Sequence, residues 1–371
     1  MTLANEQVFA ALAAVIDPEL RLPITELGMV GDISVGLDTV RAEIKLTVVG
    51  CPAAERIRAD AEQALAGVAT GRAVEVELTV MTQDERDALK ERLRAGRAPR
   101  TNPFDSESLT RIFLIGSGKG GVGKSSVTAN LAVALAAAGH RVGLVDADIF
   151  GFSIPGQLGS SDKPTRLDDM ILPPVSHGVK VISIGMFLDD NKPVAWRGPM
   201  LHRAIAQFLT DVFWGDLDFL LVDLPPGTGD VAISLGQLLP TAKTVVVTTP
   251  QQAAAEVAER SGSVGLQTGQ AVFGVIENMS WLIDSAGNRL EIFGTGGGQA
   301  VADRLAAASG APVPVLGQIP ISIQLRECSD AGAPVVASRP EDPAAAAIGE
   351  IALKLSATPL GLAGRRLKLG L

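Results

Sequence analysis

The stretch Gly116–Ser126 reads Gly-Ser-Gly-Lys-Gly-Gly-Val-Gly-Lys-Ser-Ser, and it constrains this chain more than any other. Ahead of it, Arg111–Ile115 predicts a short buried strand. After it, the Ala/Leu/Val-rich run Val127–Ala138 predicts a helix that stops at Gly139. Strand, glycine loop and helix in that order are the setting of a phosphate-binding loop, and Gly118–Ser125 fits G-x-x-x-x-G-K-[ST]. The glycines let the backbone curl so that its N–H groups face phosphate oxygens. The expected phosphate-contacting set is Ser117, Gly118, Lys119, Gly120, Gly121, Val122, Gly123, Lys124, Ser125 and Ser126. In it, Lys124 bridges the β- and γ-phosphates and the Ser125 hydroxyl binds Mg²⁺.

Apolar strand-like runs recur from there on: Ile112–Ile115, Val142–Val145, Val179–Ile184, Phe219–Val222, Thr244–Thr248, Ala271–Ile276 and Val313–Leu316. Helical segments separate most of them. Continuous apolar strands alternating with helices predict an α/β fold, a mostly parallel sheet covered on both faces. Ligands of such sheets bind at the carboxyl ends of the strands. Val142–Val145 ends in Asp146-Ala147-Asp148, and Phe219–Val222 ends in Asp223-Leu224-Pro225-Pro226-Gly227. Carboxylates there, beside the loop, hold Mg²⁺ through its waters and orient an attacking water, which marks Asp148 and Asp223. Asp146 is either part of that set or structural. Gly227 offers a backbone N–H to a γ-phosphate. The guanine-reading Asn-Lys-x-Asp pattern is absent, since Asn191-Lys192-Pro193-Val194 lacks the Asp, so ATP is expected over GTP.

Residues 1–92 predict a separate small α+β domain, 93–108 a linker, and 109–371 the P-loop domain. In the first, Glu6–Ile16 and Pro52–Ala66 have helical character. Val40–Val49 and Val74–Val80 alternate, with Val74, Val76, Leu78 and Val80 expected to face inward. Asp84–Thr101 is dense in charge and predicts a surface helix running into the linker. Cys51 stands at the predicted start of a helix, where the dipole favours a thiolate. It is either a metal ligand or nucleophile, or a small apolar core residue.

With 371 residues, 47% of them hydrophobic, the chain can bury a sizeable core. A net charge of −9 argues against general nucleic-acid binding. No run approaches the ~18 apolar residues of a membrane span. The start lacks a basic n-region and an apolar h-region. The two cysteines, Cys51 and Cys328, lie far apart and make no disulfide framework, which fits a reducing cytoplasm. The basic, apolar tail Ala363–Leu371 has two glycines and is short for a membrane-binding helix, so a frayed terminus is expected.

The Lys-Gly-Gly-x-Gly-Lys-Ser form, with Lys119 ahead of the glycines, resembles the deviant loop of the family that contains MinD, ParA, nitrogenase iron protein and the Mrp/ApbC proteins. That resemblance implies a nucleotide-sandwich homodimer in which Lys119 reaches the partner's nucleotide. Trp214–Asp230 and Val275-Ile276-Glu277-Asn278-Met279-Ser280 resemble the Mrp/ApbC branch closely. Asp17-Pro18-Glu19-Leu20, Ile24–Val30 and Cys51-Pro52 resemble the small iron–sulfur-assembly domain that precedes its ATPase. By resemblance, Asp148 lies in switch I as a water-activating group, Asp223 lies in switch II, Asn278 contacts the adenine, and Cys51 is a functional position. The implied function is an ATP-hydrolysing, Mg²⁺-dependent carrier that transfers iron–sulfur clusters to apo-proteins. Two departures stand out. Relatives place Cys-x-x-Cys in the loop that here reads Trp281–Gly287, without cysteine, and Ser322 replaces an expected Asp. Four thiolates ordinarily hold such a cluster. The cysteine-free loop keeps a second class of function open, a nucleotide-gated adaptor in iron–sulfur assembly that carries no cluster. A MinD/ParA-type positioning ATPase is disfavoured by the N-terminal domain and the Trp214–Asp230 signature.

Overall fold

The computed structural model describes residues 4–94, 101–187, 198–284 and 286–358. The stretch Asn191–Val194, part of the expected linker, Ser285 and the tail Ala363–Leu371 lie outside them. The described chain divides into two compact units.

The smaller unit begins with α1 (Asn5–Leu12), β1 (Val30–Val35), β2 (Thr39–Leu46), α2 (Ala54–Ala69), β3 (Ala73–Val80) and α3 (Gln83–Arg94). Its sheet has the order β1-β2-β3, with β1 antiparallel and β3 parallel to β2. In β2, Val40, Ala42, Ile44 and Leu46 are all buried, the alternation of a half-buried strand. α2 meets them with Ile57, Ala61, Leu65 and Ala69, four residues apart on one stripe. β3 departs from expectation: Val76 alone is buried and Val80 is 38% exposed, because β3 is an edge strand with a neighbour on one side only. α1 stops at Leu12, short of the expected Ile16. There Ile16 pairs with Pro23 in an isolated bridge, and the Asp17 carboxyl accepts from the Glu19 and Leu20 amides, turning the chain.

This unit is not continuous in sequence. Asp162–Pro174 and Thr210–Gly215, expected in the domain 109–371, belong to it. The first segment is a hairpin, Thr165–Leu167 against Met170–Leu172. Its Leu167, Met170 and Leu172 are buried in the same core as Ile44, Ile57 and Leu89. At the hairpin tip, Asp168 takes φ 53 and accepts from Lys90 Nζ at 2.6 Å, while Asp169 pairs with Arg94 at 2.7 Å. α3, expected to be a solvated surface helix, is held by these contacts and buries Leu89 and Lys90.

In the larger unit, β4 (Arg111–Ser117) leads through the glycine loop into α4 (Lys124–Ala137). β5 (Val142–Asp146), β6 (Val179–Ser183), β7 (Phe219–Asp223), β8 (Lys243–Thr248), β9 (Ala271–Glu277) and β10 (Val315–Gln318) follow. The sheet order is β10-β9-β8-β4-β7-β5-β6, all parallel, with the short strand Val175–Ser176 antiparallel at the β6 edge. Every residue of β5, β6 and β7 is buried, which explains the apolar runs of β5 and β7 up to their closing Asp; β6 buries Lys180 and Ser183 along with its apolar residues. One core joins Val127 and Leu131 of α4 to Phe113, Leu144, Phe219 and Ile348. Another joins Val246 and Val275 to Ala255, Ala258 and Leu305. The mostly parallel α/β sheet with helices and the small α+β unit agree with the sequence.

The hairpin generates a test. Leu167→Ala should cost about 2–5 kcal/mol, the usual range for a buried leucine. The lost amide hydrogen-exchange protection should fall on β2 and α2, far away in sequence. Loss confined to strands of the larger unit would contradict the assignment of this hairpin.

Candidate phosphate-binding site

Register places the site. Asp223 at the end of β7 pairs with Ile115 of β4 on one side and with Asp146 of β5 on the other. The carboxyls of Asp146 and Asp223 therefore stand side by side at the carboxyl ends of the strands, where β4 runs into the glycine loop.

Three of the loop's glycines are required, each for its own reason. A Cβ on Gly118 would strike the backbone of Val257 and Ala258 in the helix Gln252–Gln267. Gly121 and Gly123 take φ 80 and 78, a region L side chains rarely adopt. A Cβ on Gly123 would also strike the Asn278 side-chain nitrogen. Gly120 and Gly121 are exposed, whereas Val122 is buried. Ser117 Oγ donates to the Lys119 carbonyl at 3.1 Å across the turn. Gly123 caps α4 without a side-chain cap, no acidic residue occupies the first turn, and Ser125 and Ser126 lie half-buried in it. That leaves the amides and dipole of a 14-residue helix directed at an anion.

Asp223 is fully buried and gathers the polar groups of this helix. Its Oδ2 accepts from Lys124 Nζ at 2.6 Å and from Ser125 Oγ at 2.6 Å. Lys124 Nζ also lies 3.2 Å from Ser125 Oγ. Thr128 Oγ1 lies 2.8 Å from Asp223 Oδ1 and 2.8 Å from the Lys124 carbonyl, so its single proton serves one of two acceptors at a time. Asp146 is pushed up to about 7, first by burial and then by the neighbouring Asp223 charge. Its oxygens accept from the Asp148, Ser153 and Ile154 amides and from Ser183 Oγ, which shape the loop after β5. Asp148 is half-buried and accepts from the Gly151 amide at 2.9 Å.

The remaining expected residues hold specific partners. Lys119 Nζ reaches Gln251 Oε1 at 3.3 Å. The Gly227 amide donates to the Ser117 carbonyl at 2.8 Å, and Gly227 has φ 91. Asn278 is buried and its Nδ2 donates to the Val122 carbonyl at 2.9 Å. All of these residues lie in the larger unit, whereas Cys51 lies in the smaller one. There burial drives the Cys51 thiol up to about 11, and the Glu19 and Asp17 charges push the same way. Amide hydrogen bonds from Ala53 and Ala54, the helix-start effect expected for it, act oppositely and are outweighed. Cys328 is a free, buried thiol accepting from Ser338 Oγ at 3.3 Å.

In the Trp281–Gly287 loop, Leu282–Ile283 pairs with Arg289–Leu290 as a hairpin. The Asp284 carboxyl accepts from the Ala286 and Asn288 amides, and the Arg289 guanidinium covers Trp281 at 3.8 Å. Among the described residues no group of three or more His, Cys, Asp or Glu is placed to hold a metal ion. Two participants were missed from sequence. Thr128 carried a signal, since it lies one helical turn after Lys124. Glu277, buried at the end of β9, was named only as part of the Val275–Ser280 motif, and its one signal is a charge closing an apolar strand.

Comparison with known proteins gives two family matches along the chain. The family described as NUBPL iron-transfer P-loop NTPase matches residues 108–356, and the iron–sulfur cluster assembly protein family matches residues 5–78. An iron–sulfur cluster carrier protein of Mycobacterium tuberculosis is 53% identical over 367 residues, covering 98% of this chain and 96% of that protein. One from Synechocystis is 40% identical over 361 residues, covering 95% and 97%. Among solved structures, a nucleotide-binding protein of Archaeoglobus fulgidus in complex with ADP is 37% identical, with TM-score 0.53, covering 62% of this chain and 91% of that one. The septum site-determining protein MinD of Pyrococcus horikoshii, complexed with Mg-ADP, is 26% identical with TM-score 0.50, covering 67% and 96%.

The raised Cys51 thiol gives a direct expectation. A thiol at about 11 rather than 9.0 holds roughly 100-fold less thiolate at pH 8, so native Cys51 should alkylate at least that much more slowly than in the urea-unfolded chain. The native rate should keep rising with pH beyond 9. Iodoacetamide labelling with peptide mass spectrometry measures both; equal native and unfolded rates at pH 8 would contradict the burial argument.

Proposed function

The chain belongs to the NUBPL iron-transfer P-loop NTPase family, and on that premise we propose that it binds and hydrolyses ATP while carrying iron–sulfur clusters to apo-proteins, cycling through a nucleotide-dependent homodimer. The observation that carries the nucleotide half is the convergence of Lys124, Ser125 and Thr128 on Asp223 beneath an uncapped helix start. Lys124 and Ser125 both lean on one carboxylate oxygen. A phosphate oxygen offers Lys124 an equivalent acceptor, and the Ser125 oxygen has a lone pair that would serve Mg²⁺.

The donor set fits Mg²⁺, with the Ser125 hydroxyl as ligand and Asp223 holding it through water; the ion supplies charge neutralisation on the β- and γ-phosphate oxygens. The chain's own groups do the rest. Lys124 binds the phosphates from the buried side. Asp148 orients or deprotonates the attacking water, its carboxyl accepting from the Gly151 amide in the loop after β5. Gly227 exchanges the Ser117 carbonyl for the γ-phosphate, which makes its loop a sensor. Asn278 contacts adenine from its place beside Val122. Lys119, whose Nζ meets Gln251 Oε1 at a long 3.3 Å, is available to cross to a partner's nucleotide. The reducing cytoplasm suits two free thiols. No described helix is long and apolar enough to cross a membrane.

A second reading has its own observation. The Trp281–Leu290 hairpin offers carboxyl, amide and guanidinium groups but no thiol. An adaptor in iron–sulfur assembly that gates a partner by nucleotide and holds no cluster itself fits that loop. Cys51 is the one thiol of the smaller unit, and a labile cluster using Cys51 from two protomers is the remaining route to cargo.

Lys124→Ala is expected to abolish ATP hydrolysis and nucleotide binding. It should also lower thermal stability, because it strips the buried Asp223 of its counter-charge, a loss of about 3–5 kcal/mol. Near-normal turnover in that variant would refute the loop assignment. Asp148→Asn should instead keep ATP binding and slow turnover by 10²–10⁴-fold, the usual worth of a general base. Equal loss of binding would make Asp148 structural.

Anaerobic reconstitution with iron and sulfide, followed by desalting, should leave well under one [4Fe–4S] cluster per dimer, and that residue should vanish in Cys51→Ala. Stoichiometric iron retained in a Cys51→Ala, Cys328→Ala double variant would overturn the thiol argument.

A further inference from the structure

Glu277 closes β9 with its side chain 1% exposed, and nothing in the proposed chemistry uses it. Its Oε2 accepts from the Gly298 amide at 2.6 Å. Its Oε1 accepts from Gln318 Nε2 at 2.7 Å, and Ser280 Oγ lies 3.0 Å from Oε1 and 2.9 Å from the Glu277 carbonyl, so its single proton serves one or other acceptor of the same residue. Ser280 and Gly298 flank the excursion that carries the Trp281–Leu290 hairpin, so a single carboxyl group ties down both feet of that excursion. The Gly298 amide is one of the orphan donors in the first turn of the helix Gly297–Ser309, whose dipole favours an acid there. A Cβ on Gly298 would lie 2.8 Å from Glu277 Cβ, so glycine is what permits the approach.

The same residue fixes the backbone that leads to the phosphate loop. The Glu277 carbonyl accepts from the Ile319 amide at 2.8 Å, and the Ser280 amide donates to the Ile319 carbonyl at 2.9 Å. Between these anchors Met279 is held at φ 57, a left-handed conformation that a non-glycine residue keeps only where its surroundings impose it. That turn aims Asn278, whose amide holds the Val122 carbonyl against Gly123.

We propose that Glu277 is a positioning residue that links the nucleotide loop to the Trp281–Leu290 hairpin: it sets Asn278 against Val122 and clamps both ends of the hairpin excursion. A nucleotide that moves Val122 or Asn278 then moves Ser280 and Trp281. By reciprocity, a partner seated on the hairpin changes nucleotide affinity. This rests on the reading that nucleotide binds at the Lys124 loop.

The test uses full-length chain with Trp196→Phe and Trp214→Phe, leaving Trp281 as the fluorophore, and ADP with Mg²⁺ as the probe. Binding is read separately by calorimetry. With Glu277 intact, Trp281 emission should change along the binding isotherm. In Glu277→Gln, whose amide NH₂ faces donors, ADP affinity should fall about tenfold, as for loss of a buried hydrogen bond, and saturating ADP should leave Trp281 unresponsive. Ser280→Ala removes one foot and leaves the helix contact. It should fold normally by circular dichroism, bind ADP within about threefold of the parent, and lose most of the Trp281 response. Parent-sized Trp281 responses in both variants at saturation, or none in the parent despite calorimetric binding, would overturn the proposal. Absence of any ADP binding to the parent would instead overturn the nucleotide-site reading on which it rests.

Discussion

The larger unit depends on a buried carboxyl, Asp223, beneath the start of α4. A lysine at 2.6 Å and two hydroxyls satisfy it. In so dry a place an uncompensated charge costs several kcal/mol, so strand β7, the glycine loop and the first turn of α4 hold each other in place. The arrangement is stable yet exchangeable. The groups that neutralise Asp223 are those a phosphate and a divalent cation take up, so the contact that stabilises the fold is the contact that binding must trade. Asp146, pushed up to about 7 first by burial and then by the Asp223 charge, shows how little water reaches these strand ends.

Parallel register is what gathers these groups. Asp223 pairs with Ile115 and with Asp146, so the ends of β4, β5 and β7 meet at one level. The glycines then serve close approach as much as curvature: Gly118 against the helix Gln252–Gln267, and Gly123 against Asn278. Through Asn278 and Glu277 the same hydrogen bonds run on to Ser280, where the Trp281–Leu290 excursion begins.

The site was largely legible in sequence because its chemistry is local. Glycines, a lysine and a hydroxyl fall within one loop, and each acid closes an apolar run. The parallel strands were legible for the same reason, since burial on both faces leaves unbroken apolar stretches. What escaped was non-local. The Thr165–Leu172 hairpin has no periodicity linking it to Ile44 or Ile57, yet it completes their core. Cys51 carried a helix-start signal, but its thiol is governed by burial and by Glu19 and Asp17, which only the folded chain brings together. Glu277 had no role assigned from sequence, because its donors come from the turn at Ser280, from Gly298 and from Gln318, which only the folded chain brings together.

The central claim is that the groups gathered on Asp223 exchange that carboxylate for phosphate and Mg²⁺. Calorimetric titration of the full chain with a non-hydrolysable ATP analogue, in Mg²⁺ and again in excess EDTA, tests it most directly. The account predicts one site per chain and an affinity that falls markedly when Mg²⁺ is chelated. Absence of binding, or binding indifferent to Mg²⁺, would contradict it.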